Sequence, residues 1–292
     1  MPTSPLNPSQ TTWITHTLAQ TPHHSRQRVG RVEIALRTWG DPDLPKIVLI
    51  HGMAAHSGWW DSVAPALSVD HEVIAIDLSG HGDSGRHSSY SIQTWANEAM
   101  SIATADRRPA ILIGHSLGGL VALTAARSHG ARLRGCIVVD SPLHPLPRDR
   151  TRRLQARASS PLVTMATSSE AVTRFRPMPD EGGLIPTLVE RVASQSIRST
   201  GAGYQWKVDP RVFSAERATE PLGPAPCPIR LVRGEHGMLS AEQADAAIEL
   251  FAQTERATLI PGAGHHIMLS HPRLLSDALS AWVRELPLSQ WT

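Results

Sequence analysis

The chain has 292 residues, 41% of them hydrophobic, and a formal net charge of +2. That length can bury one large core, or a core with a small second domain, and Lys and Arg are scattered rather than gathered into a stripe, which excludes a nucleic-acid footprint. Cys136 and Cys227 lie far apart, so neither a disulfide framework nor a metal knuckle is indicated, and a reducing cytoplasm fits.

In chain order, the opening MPTSPLNPSQ lacks a basic n-region and an apolar h-region. No eighteen apolar residues run together, so neither a signal peptide nor a membrane span is expected. Residues 1–25 are expected to hold little regular structure. RVEIALRTW (31–39) alternates in polarity and reads as an antiparallel strand at one sheet edge. The runs KIVLIH (46–51), EVIAIDL (72–78), AILIG (110–114), CIVVD (136–140), PIRLV (228–232) and ATLI (257–260) are short, rich in Ile and Val, and not alternating, as in strands buried on both faces. Helical spacing appears at 59–68, 91–105, 117–128, 240–252 and 271–285. The alternation predicts an α/β fold with a mostly parallel sheet and helices on both faces.

From Ser141 to about Gly223 the strand signals stop, prolines cluster at both ends, and DRTRRLQAR and LVERVASQ read as short amphipathic helices. An insertion of this length is too long for a bare loop. It is expected to form a helical cap at 141–223, on a core made of 1–140 and 224–292. Its charge is mildly basic. Arg174 and Arg176 in TRFRP could meet a substrate carboxylate or simply brace the cap.

The chemistry is written first at ILIGHSLGG (111–119). A serine between Gly114 and Gly118, where a buried strand turns into a helix, is forced into a sharp corner with its hydroxyl exposed at the carboxyl edge of the sheet. Ser116 is therefore the candidate nucleophile. The helix start places positive dipole beside a reacting carbon, and Leu117 can offer its backbone N–H to an oxyanion. A second donor is expected from Met53, in the turn after His51-Gly52. A serine also needs a base, and IPGAGHHIMLSHP (260–272) supplies one: His265 directly follows the Gly-x-Gly turn, whereas His266 begins the apolar IML run.

These residues resemble the α/β-hydrolase family, lipase and esterase branch, from about residue 30 to residue 287. The resemblance rests on Ser116 preceding His265, the His-Gly turn after KIVLI, the loop DLSGHGDSG, and the insertion after CIVVD. It implies a serine–histidine–acid triad at the strand ends, with no metal and no organic cofactor. In many members the acid follows the strand ending near Gly234, but that place here reads Glu235-His236-Gly237-Met238. Two candidates remain for the acid. Asp140 ends CIVVD at the carboxyl edge and is similar in position to the acid of a smaller esterase and thioesterase subgroup. Glu235 could fold in from its loop. Either carboxylate would fix the histidine tautomer.

Met53, Trp60, Leu143, Phe175, Trp206 and Ile267 are candidates for lining an apolar acyl or alcohol pocket. Trp59 shares the turn with Trp60, and at least one of the two is expected to be core. Asp77, Asp83 and His81 read as tight-loop residues. The fifteen histidines form no HExxH pattern, so no metal site is expected. The expected substrate is a small-molecule ester or related acyl compound, with no nucleic-acid or membrane partner; oligomeric state is not written in the sequence. The same constellation also supports lactone opening, carbon–carbon hydrolysis or perhydrolysis, and its fold can serve as a non-catalytic small-molecule receptor.

Overall fold

The computed structural model describes residues 8–106, 108–144, 147–216, 223–251 and 256–286. From the N-terminus, α1 (Pro8–Ala19) leads into β1 (His23–Val29) and β2 (Val32–Trp39). Then come β3 (Lys46–Ile50), α2 (Ala64–Leu67), β4 (Glu72–Ile76), α3 (Ile92–Ala103), β5 (Ala110–His115), α4 (Leu117–His129) and β6 (Leu133–Val139). The next stretch holds α5 (Arg148–Ala158), α6 (Ser168–Arg174), α7 (Pro186–Gln195), β7 (Ile197–Thr200) and β8 (Gly203–Trp206). The chain then returns through β9 (Ile229–Gly234), α8 (Ala241–Leu250), β10 (Thr258–Ile260), α9 (Ile267–Ser270) and α10 (Pro272–Glu285).

One sheet runs in the order β1-β2-β4-β3-β5-β6-β9-β10. β1 pairs antiparallel with β2, and β2 antiparallel with β4, while the remaining neighbours are parallel. The central strands are buried along their whole length, which is why their sequences run apolar without alternating. Val48, Ile50, Leu112 and Val138 face α3, α4 and α8 through one core cluster. Ile47, Leu49, Ile113 and Ile137 face α1, α2 and α10 through the other. Each such side chain contributes roughly 1.5–3 kcal/mol on burial, enough in sum to hold polar groups at the rim in costly positions.

The strand order sets where a site can form. The chain leaves β3 toward β4 on one side and leaves β5 toward β6 on the other. Their carboxyl ends therefore flank a crevice at a topological switch point. The turns 51–54 and 115–118 lie at that crevice.

Three expectations are corrected. Residues 8–25 are not irregular, 1–7 lying outside the described residues: α1 docks Ile14 into the second cluster, the Trp39 indole N–H donates to the Gln20 carbonyl at 3.1 Å, and His23–Val29 is a strand. That strand, HHSRQRV, has no apolar face to reveal it, and it is held by main-chain pairing along all seven of its residues. In consequence β2 is not the edge; β1 is. Finally, the stretch between β6 and β9 is not free of strands, because β7 and β8 form an antiparallel hairpin with Ile197 opposite Trp206. Four-residue, half-buried strands leave no periodic trace; the turn between them is Gly201-Ala202, and β8 opens on Gly203, whose φ of +133° and closeness to the Met165 carbonyl suit only glycine.

This interposed stretch is tied to the sheet layer by polar contacts. The buried Asp61 carboxylate accepts from Arg37 at 3.1 Å, Arg191 at 2.8 Å and Gln195 at 3.1 Å. His56 Nε2 donates to the Val192 carbonyl at 3.1 Å. Among the described residues, no helix is long and apolar enough to cross a membrane.

Candidate functional site

At the β5–α4 corner Ser116 adopts φ 54° and ψ −116°, a strained backbone for a residue with a side chain. Two glycines permit it. A Cβ at Gly114 would collide with the Gly118 carbonyl, and one at Gly118 with the carbonyls of Ile50 and His51. The Ser116 N–H donates to the Val139 carbonyl at 3.0 Å, so the corner is locked to β6. Gly52 passes so close that an added Cβ would lie 3.2 Å from Ser116 Cβ. This brings the turn carrying Met53 beside the serine. Leu117 opens α4, where the first N–H groups have no intrahelical acceptor, and no turn or cap bond takes up the N–H of Met53 or Leu117 among the described residues.

Asp140 follows β6 at φ 42° and is fully buried. Its N–H donates to Val232 O at 2.7 Å. Its carboxylate is cradled by the very loop that lacks an aspartate: Oδ1 accepts the N–H of Gly234 at 3.2 Å and of Leu239 at 3.4 Å, and Oδ2 accepts that of Met238 at 2.7 Å. Gly237 is required there, because a Cβ would land on the Asp140 carboxylate. RGEHGM thus supplies donors in place of an acid.

His265 completes a chain of contacts. Its Nδ1 lies 2.7 Å from Asp140 Oδ2 and its Nε2 lies 3.1 Å from Ser116 Oγ. With a carboxylate at Nδ1, the proton sits on Nδ1 and donates to Asp140, leaving the Nε2 lone pair to accept the Ser116 hydroxyl. Burial, with a smaller push from Arg150, brings the His265 pKa down to about 3, so the free imidazole is neutral, with its Nε2 lone pair open to the Ser116 hydroxyl. Burial raises the Asp140 pKa, opposed by the Met238 N–H, the His115 ring and the N–H groups of Gly234 and Leu239.

Glu235, the other candidate acid, is corrected by its position: its Oε2 accepts the Gly262 N–H at 2.8 Å on the exposed side of the loop, and it makes no contact with His265 among the described residues. His266 also turns away from Ser116, with Nε2 donating to the Pro179 carbonyl at 3.2 Å.

Two site neighbours escaped the sequence reading. His115, beside the serine, donates from Nε2 to the His265 carbonyl at 3.0 Å; its only trace was its place in GHSLG. Glu181, in MPDEGG, accepts the His265 N–H at 2.7 Å and the His266 N–H at 2.8 Å. A lone carboxylate in a Gly-rich loop carries no periodic or motif signal.

Of the pocket candidates, Phe175 and Trp206 meet with ring centroids 5.9 Å apart. Trp59, not Trp60, joins them, at 6.4 Å from Phe175 and 5.3 Å from His266. Residues 57–60 form one 3₁₀ turn, so neighbouring side chains diverge by a third of a turn, and Trp60 is directed into the core at 0% exposure. Ile267 is equally inaccessible, and Leu143 is buried in the first cluster; all three are core residues rather than accessible lining. Met53 is partly buried against that same cluster. Arg174 pairs with Glu170 at 2.9 Å, and Arg176 donates to the carbonyls of Thr173 and Phe175, so both brace their own helix. Asp77 accepts the N–H groups of Ser57 and Asp83, as a loop residue does.

His115, His265 and His266 carry nitrogens within 4.8 Å of one another, the group that could hold a metal ion among the described residues. Both His265 nitrogens, and Nε2 of His115 and of His266, are already engaged. An ion ligated by His265 would have to break its bond to Asp140 or to Ser116.

Residues 47–278 match the family described as the Alpha/beta hydrolase family. Among curated relatives, a pimeloyl-[acyl-carrier protein] methyl ester esterase of Neisseria meningitidis is 28% identical, over 84% of this chain and 94% of its own. A 2-(acetamidomethylene)succinate hydrolase of Mesorhizobium japonicum is 25% identical, over 88% and 94%. Among solved structures, the thioesterase domain from the curacin biosynthetic pathway superimposes with a TM-score of 0.76 at 22% identity, over 89% of this chain and 99% of that one, a likeness of fold.

Proposed function

The chain belongs to the Alpha/beta hydrolase family, and from that premise we propose that it is a serine hydrolase cleaving carboxylic esters or thioesters through an acyl-enzyme. The observation that carries this reading is the unbroken relay from Ser116 Oγ through His265 to Asp140, at 3.1 and 2.7 Å.

Ser116 attacks the acyl carbon as its proton passes to His265 Nε2. The resulting imidazolium is held by Asp140, whose three main-chain donors keep the carboxylate fixed rather than swinging. The N–H groups of Met53 and Leu117 receive the oxyanion, each worth roughly 3–4 kcal/mol of transition-state stabilisation. His265 then gives its proton to the departing alcohol or thiol. Water, deprotonated by the same Nε2, releases the acid and restores the serine. No step calls for a metal or an organic cofactor.

Residues 141–223 act as a cap over this rim, on a core of 1–140 and 224–292, although 1–7, 107, 145–146, 217–222, 252–255 and 287–292 lie outside the described residues. The cluster of Trp59, Phe175 and Trp206 favours an apolar or aromatic group on a small-molecule substrate. The relative named for a methyl ester supports ester chemistry, and the one named for an acetamidomethylene succinate supports hydrolysis on this fold more broadly. A reducing cytoplasm suits the free, buried Cys136 and Cys227. The test is a panel of p-nitrophenyl esters and matched thioesters given to the wild type and to Ser116→Ala. Turnover that vanishes in the variant supports the reading; turnover that survives there overturns it.

A further inference from the structure

His265 is gripped on both sides of its own backbone. On the carbonyl side the donor is His115, one residue before the serine. On the N–H side the acceptor is Glu181, which belongs to the cap and receives two successive N–H groups, His265 on Oε2 and His266 on Oε1, at 2.7 and 2.8 Å. One carboxylate oxygen per N–H is a bidentate, charge-assisted capture that fixes direction as well as distance.

The approach is built rather than incidental. Gly264 has no Cβ where the Glu181 carboxylate lies: one would sit 2.5 Å from Oε2 and 2.7 Å from the carboxyl carbon. The strap around Glu181 docks at further points on this loop and on α9 after it, through the Pro179 carbonyl to the His266 ring at 3.2 Å and the Ile185 N–H to Leu269 O at 2.9 Å. The carboxylate occupies a costly place. It is half-buried, the groups stabilising its charge are those two N–H groups, and Asp140 adds like-charge repulsion.

We propose that Glu181 is a positioning residue of the reaction, delivered by the cap, which holds the His265 main chain so that Nε2 stays within proton-transfer reach of Ser116. Seating of the cap is thereby a condition for turnover. This rests on the catalytic reading of Ser116 and His265 given above. Misplacing a reacting group by about 1 Å can cost on the order of 100-fold in rate, which sets the scale of the effect.

The test compares the wild type with Glu181→Gln and Glu181→Asp on p-nitrophenyl acetate, a substrate too small to need cap contacts. Gln keeps the shape but turns an NH2 toward one of the two N–H donors. Asp keeps the charge on a shorter arm. Glu181→Gln is expected to lower kcat roughly 10–100-fold with KM nearly unchanged. The far-downfield proton resonance of His265 Nδ1–H should broaden or move, and Glu181→Asp should recover part of the rate. A Glu181→Gln enzyme with wild-type kcat and an unmoved resonance overturns the proposal. So does one that loses its near-UV circular dichroism, because that assigns Glu181 to the fold alone. If the wild type itself lacks Ser116-dependent turnover, it is the underlying catalytic reading that fails, a result distinct from either.

Discussion

The rim of the sheet and the stretch between β6 and β9 are built in different ways. At the rim, Ser116 and Asp140 follow directly on buried strands, and each is tied by its own N–H to a neighbouring strand, at 3.0 and 2.7 Å. In the other stretch, α5 buries no residue at all, and α7 is seated by Leu188 and Val192 in the second cluster and by side chains converging on Asp61. Strand ends fix angles that a reaction needs. Side-chain anchors fix that a surface is covered, and those remote from His265 can be exchanged with less effect on the chemistry beneath than Glu181, which holds the His265 main chain.

The largest expected effect contrasts a carboxylate of the rim with one outside it. Asp140→Asn should lower kcat by about four orders of magnitude, through loss of the tautomer and of charge at Nδ1. Glu235→Gln, on an exposed loop, should change it by no more than about twofold. Steady-state assays of the two variants check this, and comparable effects would erase the distinction between the regions.

Next comes the anchor of α7. Asp61→Ala strands Arg37 and Arg191 without their carboxylate and should cost about 3 kcal/mol in urea unfolding, while turnover of p-nitrophenyl acetate at low temperature falls less than in Glu181→Gln, which acts on His265 directly. Parallel loss of stability and of reactivity would show the two regions to be one cooperative unit.

Acid should weaken the fold through the histidines. In the folded state burial holds His51 near 4, His81, His265 and His266 near 3, and His56 and His115 below their ordinary value. The unfolded chain binds protons on all six at about pH 6.5. From about pH 7 down to the folded-state values near 4 and 3, the unfolded state therefore holds protons that the fold refuses, and stability falls as the pH is lowered. Thermal melts across this window should show Tm declining; a flat Tm contradicts neutral burial. The acid limb of kcat/KM should likewise lie below pH 6.5.

The smallest effect concerns the aromatic contacts. Phe175→Ala should raise KM for bulky aromatic esters by roughly 2–10-fold and leave the acetate unchanged; equal effects on both would place Phe175 outside the pocket.

Legibility followed the same divide. Strands buried on both faces announce themselves by unbroken Ile and Val, and the Ser116 corner by its flanking glycines, so the core and its rim were readable. β1 was not, because an edge strand held by main-chain pairing needs no apolar side chains. The hairpin of β7 and β8 is too short for any period. Asp140 and Glu235 could not be separated from sequence, since the choice depends on Gly237 leaving room for a carboxylate and on three N–H groups converging from the 234–239 loop. Trp59 and Trp60 were interchangeable until the 3₁₀ turn set their directions, and Glu181 reaches His265 from 84 residues away.

The most direct measurement is a crystal structure of the enzyme phosphonylated by a fluorophosphonate. The account requires a single adduct on Ser116 Oγ, its phosphonyl oxygen 2.7–3.1 Å from the N–H groups of Met53 and Leu117, about the spacing an oxyanion hole needs, with His265 still bonded to Asp140. An adduct on another residue, or a phosphonyl oxygen directed away from both N–H groups, would contradict it.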